Sequence, residues 1–303
     1  MKTILITGAG GFLGTSLTAR LLAGGQNVIA VDQNIAGLKH LQNPRLTLIQ
    51  TDLEAPDWQD HLPVRDYGAF YHLAWRGVNG PEKADPFIQL NNLRLALRCA
   101  DAAKALNCEK FLCAGTIAER AVESLPALTQ VSGGMMYSAA KQSCRLLLET
   151  RCKNIGLPFV WMQLSNTYGP GNKTGNLISY TLMQLQKGEP ATFGPAQQPY
   201  DFIFVNDLME AMFRLGTMPT SRSAYFIGSG QPALLADYLH LVGRLAGAPD
   251  LIRIGERPDD GIRYSWEMLD TTPLVRDIGP YVSGSFEEHI RETLTAENGG
   301  NHT

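Results

Sequence analysis

Residues 3–14, TILITGAGGFLG, decide how the rest of the chain is read. The run Thr3 to Thr7 is apolar, β-rich and strand-length, and it breaks into a glycine cluster. Leu13, Leu17 and Leu21 then recur on one helical stripe, which Gly24-Gly25 closes. Strand, glycine turn and helix in that order predict a phosphate-binding turn, because a helix N-terminus presents unpaired N–H groups and a positive dipole end. The spacing is GxxGxxG through Gly8, Gly11 and Gly14; the position where GxGxxG needs glycine is Leu13.

Working outward, Asp32 ends the next apolar run, Val28 to Val31, at the offset where an acid meets the adenosine ribose hydroxyls of a dinucleotide. A carboxylate there repels a 2′-phosphate, and neither Gln33 nor Asn34 supplies a cation, so NAD is expected, with NADP the alternative. Asp52 ends the run Leu46 to Gln50 and reads equally as an adenine contact or a helix N-cap. Further runs at Ala69–Leu73, Lys110–Ala114 and Phe159–Leu164 alternate with helical patterns, the long ones over Phe87–Leu106 and Tyr137–Ile155. That alternation predicts α/β class: a Rossmann-type doubly wound parallel sheet over residues 1–170, with later returns around 200–228. After Gly169-Pro170-Gly171 loops and prolines increase, which predicts a smaller C-terminal α/β substrate-binding region over 171–303. The polar end, Glu297 to Thr303, is expected to be disordered.

The chain has 303 residues, 44% hydrophobic, with a formal net charge of -3. That length supports a full α/β core, and the lack of a basic cluster argues against nucleic acid as a partner. Apolar runs are strand-length, so no membrane span is expected. Five cysteines without a CxxC pair read as reduced core residues of a cytoplasmic protein, and six scattered histidines suggest no metal site.

Tyr137 and Lys141 carry the chemistry. Four apart on a helix, they share a face, so the lysine ammonium is expected to lower the phenol pKa from its usual value near 10. Such a tyrosine exchanges a proton with a hydroxyl near neutral pH.

Together these motifs resemble the extended short-chain dehydrogenase/reductase family, in its nucleotide-sugar epimerase/dehydratase group, from Met1 to about Leu294. The turn is similar to TGxxGxxG, and His72-Leu73-Ala74-Trp75 to the HLAA segment with Trp75 in place of a small residue. Tyr137 and Lys141 match YxxxK; Asn166 to Gly171 resembles NxYGPG; Asp201 to Leu208 resembles RDFIxVxDL. The resemblance implies Thr116, Tyr137, Lys141 and Asn92 as catalytic residues. It implies Gly8, Gly11, Phe12, Leu13, Gly14, Asp32, Asp52, Leu53, Leu73, Ala74, Tyr137 and Lys141 as cofactor contacts. Trp75, Thr116, Asn166 and Arg257 would meet a nucleotide-diphosphate sugar. Thr116 and Asn166 also read as ordinary turn residues, and Trp75 as core. A homodimer through the helices at 87–106 and 137–155 is implied as well.

Departures narrow the activity. Members that dehydrate carry Asp-Glu after the catalytic threonine; here Thr116 is followed by Ile117-Ala118, and the nearest acid is Glu119. Tyr200 replaces a diphosphate-binding arginine, Gln163 replaces another arginine as a packing change, and Arg257 remains. The reading adopted is an NAD-dependent nucleotide-sugar epimerase that transiently oxidises a ring hydroxyl, at C4. The alternative is an NAD(P)H-dependent nucleotide-sugar 4-ketoreductase of deoxysugar-synthase type. A 4,6-dehydratase and a non-catalytic dinucleotide sensor stand behind both.

Overall fold

The computed structural model describes residues 2–128, 131–172 and 174–299. Six strands come first: β1 (Thr3–Thr7), β2 (Asn27–Asp32), β3 (Leu46–Gln50), β4 (Tyr67–His72), β5 (Lys110–Thr116) and β6 (Phe159–Leu164). With the later strand Ala224–Ile227 they form one parallel sheet, ordered Ala224–Ile227, β6, β5, β4, β1, β2, β3. The edge strand Ala224–Ile227 pairs with β6.

Alternate residues of each strand feed two separate cores. Ile4, Ile6, Val28, Ala30, Tyr71, Leu112 and Met162 enter one; Leu5, Ile29, Val31, Phe70, Phe111, Cys113 and Trp161 enter the other. Burial on both faces explains why the strands read as continuous apolar runs. Helices α1 (Phe12–Ala23), α2 (Pro86–Ala105), α3 (Met135–Ile155) and α5 (Val205–Thr217) flank the sheet, and α4 (Leu177–Gln186) packs beside Ala191–Phe193. α1 and α5 cover the first face through Leu17, Leu21, Leu208 and Met212. α2 and α3 lie side by side on the second, through Ala96, Cys99, Ala103, Cys144 and Leu148. All five cysteines are free and buried. α2 begins where the Asp85 carboxylate accepts from the Phe87 and Ile88 N–H groups, and α3 ends on Gly156 in the left-handed conformation.

Beyond β6 the chain forms three short strand pairs: Asn166–Tyr168 beside Phe202–Phe204, Ala191–Phe193 beside Ile252–Ile254, and Pro199–Tyr200 beside Ala233–Leu234. The C-terminal end corrects one expectation. A helix covers Phe286–Gly299, because Ile290 is buried in the first core and anchors it; residues 300–303 lie outside the described residues. Among the described residues no helix is long and apolar enough to cross a membrane.

The chain runs from β1 outward to β3, then returns to build β4 to β6 on the other side of β1. At that reversal the connections after β1 and β4 lead to helices on opposite faces of the sheet, α1 and α2, which is the place where open α/β sheets bind ligands. His72 closes β4 there, buried, with Nδ1 2.9 Å from Thr7 Oγ1. Burial, helped by the Lys141 charge, pushes its pKa down to about 3. Unfolded histidine protonates near 6.5, so between about pH 6.5 and 3 the unfolded chain holds the extra proton. The stability from a neutral His72 is complete above that window and lost as pH falls through it. Urea unfolding at pH 7 and pH 5 should differ by about 2 kcal/mol through this residue. His72→Gln should show a smaller difference; an unchanged one would assign the effect to other groups.

Candidate active site

The glycine turn is shaped by close approach. A Cβ on Gly8 would stand 2.3 Å from the Ala74 backbone nitrogen, and one on Gly14 would stand 2.2 Å from the Gly8 carbonyl oxygen. Only bare backbone lets α1 and the β4 loop converge on the turn this tightly. Gly8, Gly11, Phe12, Leu13 and Gly14 thus sit together at the α1 N-terminus, with Leu73 and Ala74 across the crevice. The Leu73 N–H donates to the Thr7 carbonyl at 2.9 Å, which locks the two loops together.

Asp32 lies beside this turn. One carboxylate oxygen accepts from the Gly10 N–H and the other from the Asn34 N–H, both at 2.9 Å. Gly10 was not among the expected site residues. A Cβ there would stand 2.0 Å from the Asn34 carbonyl oxygen, a fit that the GxxGxxG spacing does not reveal. Asp52 is exposed and accepts from the Glu54 N–H at 2.8 Å, forming a turn, while Leu53 is buried behind it.

The second half of the site lies at the C-terminal end of β5. Thr116 accepts from the Ala118 N–H at 3.2 Å and lies close enough to the Tyr137 phenol to oppose the rise in its pKa. Lys141 is buried; its ammonium donates to the Ala114 carbonyl at 2.7 Å and sits 3.6 Å from the centre of the Trp75 ring. Trp75 meets Tyr137 edge-to-face, with 6.2 Å between ring centres, and donates to Gln89 at 2.9 Å. Trp75 therefore lines this site and covers the lysine.

The electrostatics correct the expected tyrosine activation. Tyr137 titrates above the usual phenol value: burial pushes it up, Thr116 opposes, and the Glu119 charge adds to the rise. Lys141 does not lower it, because its ammonium is 5.9 Å from the Tyr137 ring centre and engaged by Ala114 and Trp75. Burial likewise lowers the Lys141 pKa.

Glu119 was read only as an acid in the wrong position. It is buried, and Trp161 donates to both its oxygens at 3.1 Å. Gln163 donates to it as well, and Arg145 lies 3.7 Å away. Burial raises its pKa. A cavity of about 240 Å³ is lined by its partners Arg145 and Gln163, together with Arg120, Arg222, Glu267 and Asp270.

Asn92 reaches the site indirectly: its amide accepts from the Arg76 N–H at 3.0 Å and donates to the Arg76 carbonyl at 2.8 Å, clamping the loop after Trp75. Asn166 donates to the Asp201 carbonyl at 3.2 Å and accepts from the Tyr200 hydroxyl at 3.1 Å, so the tyrosine that replaces arginine orients it. Arg257 stands apart on the C-terminal elements, exposed, donating to Thr192 at 2.8 Å and to the Tyr180 hydroxyl at 2.7 Å. A second lysine, Lys83, lies 5.2 Å from the Tyr137 ring centre; an isolated lysine in a loop gave no signal in the sequence. Among the described residues there is no group of three potential metal ligands.

With this geometry in place, the model of the NAD dependent epimerase/dehydratase family matches residues 4–228. The chain belongs to that family. It is 25% identical to Escherichia coli dTDP-glucose 4,6-dehydratase over 96% of this chain and 92% of that one. It is also 25% identical to Mycolicibacterium smegmatis UDP-glucose 4-epimerase, over 82% of this chain and 84% of that one. The match to Arabidopsis thaliana UDP-glucuronic acid decarboxylase 4 is 27% identical over 70% of this chain and spans half the length of that relative. Among solved structures, Thermotoga maritima UDP-glucose 4-epimerase with UDP-glucose superposes with a TM-score of 0.80, at 20% identity, over 99% of this chain and 100% of that one. At that identity the likeness speaks for the fold.

Membership makes the protein an NAD-dependent enzyme of the extended short-chain dehydrogenase/reductase type. The turn fits that cofactor: Gly8 and Gly14 leave no Cβ in the cradle, the α1 N-terminus faces it, and Asp32 stands at its edge. At the other end, the Trp75 indole covers the Lys141 ammonium. Trp75→Ala should therefore tighten NAD binding about fivefold, the equivalent of one cation–π contact. Calorimetric titration with NAD checks this; unchanged or weaker binding would show that the indole supports the cofactor.

Proposed function

We propose that this enzyme is a nucleotide-sugar epimerase that inverts a ring hydroxyl, at C4, by removing and returning its hydrogens. The observation that carries the reading is Tyr137 set beside Thr116 at the end of β5, with the neighbouring acid Glu119 turned into the core. Bound NAD supplies a reversible hydride acceptor. The chain's own residues handle the proton. As the phenolate, Tyr137 would accept the hydroxyl proton, and Thr116 would hold the oxygen in line. Once the keto sugar has turned over, the Tyr137 phenol would return the proton to the same oxygen, so that the reaction makes no net redox change. Lys141 orients the nicotinamide ribose, Asn92 holds the Trp75–Arg76 loop, and Asn166 faces the sugar. Arg257 meets the diphosphate.

Elimination of water across C4–C6 requires a further acid and base. With Glu119 engaged by Trp161 and Gln163, the dehydratase activity of several relatives is disfavoured here. Tyr137→Phe removes the proton carrier and keeps the ring. It should lower kcat for epimerisation of a UDP-sugar by about 10²- to 10⁴-fold while leaving NAD affinity unchanged. Wild-type turnover that consumes one reduced cofactor per sugar would identify a ketoreductase instead.

The assembly we propose is a homodimer through α2 and α3. Phe87 and Leu90 on α2 and Leu146 and Leu147 on α3 are exposed, Phe87 by 79%, on the helices away from the sheet. Leu147→Glu should convert a dimer to a monomer in sedimentation; an unchanged mass would remove this interface.

A further inference from the structure

Lys83 sits on a short helical turn, Pro81–Ala84, between β4 and α2. Its stem packs on the start of α3: a Cβ on Gly134 would lie 3.6 Å from Lys83 Cε. Its ammonium stands over the Tyr137 ring, and among the described residues no oxygen accepts from it and no carboxylate pairs with it.

The acids of the same loop are occupied elsewhere. Glu82 is bound by the Arg76 guanidinium at 2.6 Å, and Asp85 caps α2. Glu119, the acid that acts on Tyr137, is held by Trp161 and Gln163. Lys141, the other cation at this tyrosine, is engaged by Ala114 and Trp75. Lys83 is therefore an unanswered positive charge, half-buried and held in place beside the reacting centre. Burial lowers its pKa, which fits a charge that lacks a counter-ion. It is not placed to activate the phenol, since it lies over the ring face and the charge that moves the phenol is that of Glu119.

We propose that Lys83 is a specificity-determining residue that receives an anionic substituent on the substrate sugar, the carboxylate of a nucleotide-linked uronic acid. This rests on the nucleotide-sugar reading above. A carboxylate there forms a charge-assisted hydrogen bond and supplies the missing counter-charge. The substrate diphosphate is the other source of negative charge, and Arg257 lies with Tyr180 and Thr192 on the C-terminal elements to meet it. The anion beside Tyr137 thus belongs to the sugar end.

The test is calorimetric binding of UDP-glucuronate, UDP-glucose and UDP to the NAD-loaded protein, in wild type, Lys83→Gln and Lys83→Arg. Lys83→Gln should weaken UDP-glucuronate about tenfold or more, as loss of a charged hydrogen bond does, and leave UDP-glucose and UDP within about twofold. Lys83→Arg should restore most of the affinity. Equal weakening of all three ligands would move Lys83 to the diphosphate, and no change in any would show that it touches no ligand; either overturns the assignment alone. A wild type that binds none of the three would overturn the nucleotide-sugar reading itself.

Discussion

A lysine ammonium inside a protein must be answered by fixed partners, because an isolated buried charge is costly. Lys141 is answered twice, by the Ala114 carbonyl at the end of β5 and by the face of Trp75 from the loop after β4. Those contacts join α3 to two neighbouring strands at the point where the crevice opens. The consequences spread from there. The charge helps keep His72 neutral beneath the crevice, and Trp75, held by Gln89, packs its edge on Tyr137. The acid/base candidate, its threonine partner and the loop that overhangs them are positioned around one cation.

The interior acid beside this group has a different role. Trp161 and Gln163 occupy the Glu119 carboxylate from β6, and a Cβ on Gly115 would stand 2.2 Å from the Trp161 indole nitrogen. Glycine on β5 therefore makes room for the donor that fixes the acid on β6. A carboxylate anchored this way influences Tyr137 through its field and raises the phenol pKa; it has no free geometry for moving protons to a substrate. The same substitution of Gln163 for an arginine that looked like packing in the sequence is half of this anchor.

The far side of the crevice is rebuilt around Tyr200. Its hydroxyl donates to Asn166, which also donates to the Asp201 carbonyl, so a neutral pair orients the asparagine. Positive charge is left at two separated points, Arg257 on the C-terminal elements and Lys83 on the β4–α2 loop. A substrate carrying charge at both ends matches that distribution better than one charged only at its diphosphate.

The succession of strand runs up to β6, the glycine turn and the Tyr137–Lys141 spacing were legible in the sequence because each is local: period, offset and residue type suffice. The alternation of Ile4, Leu5 and Ile6 alone implies a strand buried on both faces. Tertiary structure decided what those residues face. Lys141 was expected to act on the phenol of its own helix neighbour, yet β5 and the β4 loop reach its ammonium first. Lys83 and Tyr137 are far apart in the chain and no periodicity links them; only the path of the β4–α2 loop brings them together. The stretch from Glu297 reads as polar and loose, but the helix Phe286–Gly299 runs into it, docked by the buried His289, Ile290 and Thr293. Local pattern specifies the elements, whereas the pKa values and partners of site residues depend on burial and on neighbours distant in the chain, and these exist only once the sheet is assembled.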